Sequence, residues 1–172
     1  IIYSRSSGLS SAAIWNDTAL PNALSGAVGG VAQPWNSSRS VVITAGSHVT
    51  LDSGGYPGGI VEVNNINIEA GGSLFLPAGS QLQVSGNFCS TNGQSVLGEG
   101  LLSLDGTWNW PDASAAIDTM QVTNLALPST AQLNIPEGQR LSVTGDVIFS
   151  NDPGAQVSGT VALTGTDQAV IG

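Results

Sequence analysis

The segment "TWNWPDAS" holds Trp108 and Trp110, the two residues of this chain best suited to touch a ligand. In an extended strand, residues two apart share a face. An exposed indole pair on such a face can stack on sugar rings, which points to a cell-surface polysaccharide as a partner. The competing use is to cover the flank of the fold or a neighbouring subunit, because large aromatics are more often buried than bare. The twelve acids are scattered from Asp17 to Asp167. Glycoside chemistry needs convergent carboxylates, or an acid–metal cluster with an Arg or Lys base. No nucleophile–histidine arrangement surrounds His48, and Arg140 and His48 fall at equivalent repeat positions that read as solvated turns. No His/Cys cluster or nonapeptide calcium repeat occurs, and the "SNDPG" stretch alone does not make a calcium site. Cys89 cannot form an internal disulfide and, following Phe88, reads as a small buried hydrophobe. No catalytic residue, metal or cofactor is therefore expected, and a polysaccharide-active enzyme is the weakest reading.

Composition sets the surroundings. The 172 residues are 41% apolar but only 9% charged, with a net charge of −9 and no lysine. Such a surface repels phosphate backbones and anionic lipids, so no nucleic-acid partner is expected. No apolar run approaches the roughly 20 residues that span a bilayer, so no membrane insertion is expected. The regular apolar positions argue against disorder. Solubility through Ser, Thr, Asn, Gln and Gly suits an extracellular or cell-surface protein, and the start "IIYSRSS" reads as a processed form or a fragment.

The elements that must carry these residues announce themselves by repetition. "LFLPAGSQLQVSG" (74–86) returns as "LNIPEGQRLSVTG" (133–145), and the gapless match extends over 61–107 and 120–166. A shorter echo, "VVITAGSHVTLDS" (41–53), precedes both. In each phrase two apolar residues two apart precede a tight turn and two more follow it, the spacing of one strand face. Leu74, Leu76, Leu82 and Val84, with Leu133, Ile135, Leu141 and Val143, are expected inside. Phe75, Asn134 and Val42 share a position that tolerates any chemistry and is expected outside. Pro77-Ala78-Gly79 fits a type I turn with Pro second and Gly fourth. Asn65 and Asn124 fit corners where Asn adopts left-handed geometry.

Further short strands follow at 60–63, 66–68, 101–104, 125–127, 147–149 and 161–163, and no segment keeps helical periodicity over ten residues. Strands this short and turns this dense suit either a β-sandwich or a β-solenoid. Self-similarity favours a single-domain, all-β solenoid occupying 41–172, with 1–40 as a cap or exchanged segment. If repeats stack one above another, Asn87 meets Asp146 and Asp105 meets Thr164, and neither gives a carboxylate pair.

The run "V-x-I-x-A-G-x-x-V-T-L" (41–51), with "V-x-V-N-N-I-N-I" and "L-x-V-S-G-N-F" after it, resembles the Thr/Gly/Asn-rich solenoid segments of secreted Bacteroidota surface proteins. Trp15-Asn16-Asp17 and Trp35-Asn36 match that family's preceding module loosely. The resemblance implies a right-handed parallel β-helix with a structural or adhesive role, and it transfers no catalytic residue. Modification motifs agree with a secreted setting. Asn16 and Asn36 head N-glycosylation sequons, and Thr18 and Thr119 stand in the Asp-Thr-apolar motif that such organisms O-glycosylate.

Assembly is the remaining expectation. A solenoid end leaves unpaired strand edges and bare core. The apolar starts and ends of the chain, Ile1, Ile2 and Tyr3 with Val161, Leu163, Val170 and Ile171, are expected to join copies head to tail into a fibre. A structural, fibre-forming homopolymer leads, with a carbohydrate-binding adhesin as the alternative.

Overall fold

The computed structural model describes residues 1–4, 8–10, 15–16, 35–54, 56–91, 95–110, 119–150 and 154–172. The alternation of apolar and polar residues yields short strands whose inner members are buried. They begin with β1 (Ile2–Ser4), β2 (Gly8–Leu9) and β3 (Trp15–Asn16). Then come β4 (Ser40–Ile43), β5 (His48–Thr50) and β6 (Ile60–Val63). The next coils are β7 (Asn65–Ile68), β8 (Ser73–Phe75), β9 (Gln81–Val84), and β10 (Asn87–Ser90), β11 (Val96–Leu97), β12 (Leu101–Leu104). They continue as β13 (Thr107–Asn109), β14 (Thr119–Val122), β15 (Asn124–Leu127), and β16 (Gln132–Asn134), β17 (Arg140–Val143), β18 (Val147–Phe149). The last coil is β19 (Gln156–Ser158), β20 (Thr160–Leu163) and β21 (Val170–Ile171).

With the exceptions of β3 and β11, each strand up to β18 pairs in parallel with the strand three further on, giving a three-sided β-solenoid in which five turns separate β4 from β19. The first strands of the coils form one sheet from β1 to β19, and the third strands another from β6 to β21. The middle side is divided between β2-β5-β8-β11 and β14-β17-β20. The β-sandwich alternative is set aside, since the only antiparallel pair among the described residues joins β3 to β1.

One inward column runs in register through Val41, Ile66, Phe88, Trp108, Leu133 and Val157, so a coil takes 20 to 25 residues. All eight positions expected inside are buried, from 0% exposure at Leu74, Leu82, Val84, Leu141 and Val143 to 4% at Ile135. Phe75 is exposed, as its position required.

The turn inside the repeated phrase differs from the expectation. The Ser80 amide donates to the Pro77 carbonyl at 3.0 Å, so Pro77 opens the turn and Gly79, at φ +77°, is its third residue. That is type II geometry, which demands a positive φ at the third residue. Thr44–Ser47 and Pro136–Gln139 close the same way around Gly46 (φ +74°) and Gly138 (φ +82°). Asn65 and Asn124 are also corrected. They begin strands β7 and β15, neither has a positive φ, and both act through their side chains. Asn65 Oδ1 accepts the Asn87 amide at 2.8 Å, and Asn124 Oδ1 accepts the Asp146 amide at 2.9 Å, tying each coil to the next.

The repeat is out of phase with the coil. Val41 lies in β4, on the first side of its coil, whereas its echo Leu74 lies in β8, on the second. Leu133, the next echo, is back on the first side in β16. Only the 92 residues from Val41 to Leu133 make a whole number of turns, namely four. The sequence alignment therefore does not predict stacking. Asn87 sits over Asn65 rather than beside Asp146, and Asp105 accepts hydrogen bonds from Gln83 Nε2 and Ser103 Oγ rather than meeting Thr164.

Candidate functional site

Strands β13, β16 and β19 line a groove of about 850 Å³ on the first side of the solenoid. Register places the outward side chains in two rows, Thr107–Gln132–Gln156 and Asn109–Asn134–Ser158. Every member is neutral and polar, although the chain as a whole carries −9. Within the second row, Ser158 Oγ donates to Asn134 Oδ1 at 2.6 Å, and Asn109 Nδ2 reaches back to Asn87 Oδ1 at 2.9 Å. These bonds hold the amides in the plane of the sheet and continue the ladder of Asn87 and Asn65.

The two tryptophans occupy different places. Trp108 is 1% exposed and lies in the core, edge-on to Phe88 at 4.7 Å between centroids. It cannot offer a bare stacking face, because inward alternation from Thr107 sends its ring into the coil. Trp110, partly buried, stacks on Trp108 at 5.8 Å and 30°. Both contribute to the groove lining, and the Nε1–H of each is buried without a hydrogen-bond partner. An unsatisfied buried donor costs roughly 1–3 kcal/mol, so these two are unusual.

The termini behave differently from one another. Ile2 is 2% exposed and Ser4 is fully buried, with β1 paired to β4 of the same chain. The Thr44 amide donates to Ser4 Oγ at 2.8 Å, and Thr44 Oγ1 donates to the Ser4 carbonyl at 2.7 Å. The segment, which has no partner nearby in sequence, has one nearby in space in β4, while Ile1 remains 65% exposed and Tyr3 is half-buried. At the other end, the inward positions of the last coil are open: Val157 is 38%, Leu163 44% and Val170 58% exposed. Their neighbours one coil earlier, Leu133, Val143 and Val147, are at 1% or less. Val161 is partly buried against Leu141, and Ile171 points outward at 52%.

The other singled-out residues do not converge. Asn36 is exposed, and its Oδ1 accepts both the Ser38 hydroxyl (2.7 Å) and the Ser38 amide (3.0 Å). Thr119 accepts a hydrogen bond from Arg140 Nε at 3.0 Å. Asn16 lies in β3, and Thr18 falls outside the described residues. His48 Nδ1 is 2.7 Å from Ser73 Oγ on the outer side. Cys89 is corrected from a core position to the half-covered outer side, because Phe88 takes the inward place; burial pushes its thiol pKa up. Among the described residues no three His, Cys, Asp or Glu gather as a metal site. Several acids serve the fold: Asp146 accepts the Ala169 amide at 2.8 Å, and Glu69 accepts the Ala45 amide at 3.1 Å. The groove rows were missed by sequence reasoning, since the phrase marks a bend without saying which side it leads to. Compared with protein-family models, curated proteins and solved structures, the chain matches none.

Proposed function

We propose that this chain is a structural, non-enzymatic solenoid subunit that works outside the cell or on its surface and associates with its own kind through the last coil. The reading rests on one observation, the exposure of Val157, Leu163 and Val170 at inward positions whose neighbours are completely covered. Another coil laid on β19–β21 buries these side chains and gives the edge strands hydrogen-bonded partners. A low-charge, lysine-free surface and the sequence resemblance to secreted surface solenoids support the extracellular setting.

Head-to-tail exchange through Ile2–Ser4 would first have to withdraw that strand from β4. Association through the carboxy-terminal coil needs no such step and is the form proposed. Sedimentation velocity tests it: concentration-dependent association is expected, lost when Leu163→Glu and Val170→Glu place charges at the open end. A chain that stays monomeric up to roughly 100 µM, where even weak contacts register, overturns the proposal.

A further inference from the structure

We propose that the groove over β13, β16 and β19 binds a neutral oligosaccharide strand, with Gln132 and Gln156 as its hydrogen-bonding floor and Trp110 at its edge. The volume of about 850 Å³ suits several sugar units rather than an ion or a metabolite fragment. Its outward rows contain hydroxyls and carboxamides only, and no charged residue lines it. In a chain with twelve acids and three arginines, that stretch of neutrality defines the ligand's charge. An anionic polysaccharide would find no cation there, and a basic peptide no carboxylate.

The donors and acceptors are also in the right supply. The side chains of Gln132 and Gln156 stand one coil apart in register and make no hydrogen bond to the described residues. Strands in one sheet lie about 4.8 Å apart, comparable with the length of one sugar ring in an extended chain. Each amide offers two donors and an acceptor to successive hydroxyls. Trp110 adds a partly exposed apolar ring face, its indole N–H being buried beneath the groove surface. A sugar, with apolar ring faces and a rim of hydroxyls, complements this combination. A purely apolar ligand leaves the amides unpaired.

This goes beyond the structural reading and is measured separately from it, since the groove and the open coil carry different variants. The experiment is isothermal titration of the intact chain with cellohexaose, xylohexaose, mannohexaose and chitohexaose, with oligogalacturonate as the anionic control. Saturable binding to at least one neutral hexasaccharide is expected, with oligogalacturonate silent. Gln132→Ala and Gln156→Ala each weaken it about fivefold, the loss of roughly one hydrogen bond. Both residues are exposed, so the fold is retained. Absence of binding to all four neutral sugars overturns the proposal. So does binding that the two glutamine variants leave unchanged, or binding confined to the anionic control. Leu163→Glu changes self-association and leaves sugar binding intact.

Discussion

The two ends of this solenoid are built from the same kind of strand and treated in opposite ways. At the amino end, Ile2 occupies the first inward position at 2% exposure, and β3 lies antiparallel along the edge of β1. At the carboxy end, Val170 occupies an equally inward position at 58% exposure, and nothing among the described residues lies beyond β21 in its sheet. Antiparallel pairing interrupts a parallel stack, because the next coil would have to run against the direction of the last. An edge so finished is a poor template for another coil, and the parallel edge of β19–β21 is a good one, for further chain as for another copy.

The largest test of that contrast is removal of residues 1–4. Loss of a buried Ile and of the Ser4–Thr44 bonds is expected to lower the melting midpoint by about 10 °C, taking roughly 4 kcal/mol and 2–4 °C per kcal/mol. A truncated chain that melts with the intact one breaks the comparison. Within single residues, Ile2→Ala is expected to cost about 2–4 kcal/mol in denaturant unfolding and Val170→Ala below about 1 kcal/mol. Equal costs would mean that the carboxy end is covered in solution. Salt sharpens the same point more gently. Raising sodium chloride to about 0.5 M screens the repulsion between copies that each carry −9, so association in sedimentation should strengthen. Weakening would mark the contact as ionic rather than apolar.

The smallest effect concerns the amino half at high pH. Burial raises the Tyr56 hydroxyl above its ordinary value, with Asp52 nearby adding to the rise; the hydroxyl donates to the Trp35 carbonyl at 3.3 Å. Because the folded chain holds the neutral phenol, the stability this gives is complete below the ordinary value near pH 10 and is lost as pH rises through the folded value. Tyr56→Phe should therefore flatten the fall in melting midpoint above about pH 10. An unchanged slope removes Tyr56 as its cause.

Much of this architecture was legible in residue types alone. Spacing of two around a Pro-x-Gly identified the buried side of eight positions, because a pleated strand has no other way to arrange them. Three things were hidden. The turn was assigned one residue early, since Pro suits either of the first two places while only φ distinguishes the role of Gly79. Trp108 and Trp110 read more readily as covering than as bare, but which of them turns inside follows from parity with Phe88 in a neighbouring coil, and that requires a register that sequence does not state. The groove rows arise from Gln132, Asn134, Gln156 and Ser158, which have no distinguishing pattern until the coil length brings them side by side.

The repeated bend has a consequence for how such a molecule lengthens. Val41 and Leu74 serve the same phrase on different sides, 33 residues apart, which is one turn and one side more. A duplication of that unit would rotate everything downstream by a third of a revolution and still pack, because every side accepts the same apolar pair. Evolution by slippage in such a gene need not count in whole coils. Each slip would leave the interior unaltered while turning the amide rows toward a new direction, so the outer surface is reshuffled without being rewritten.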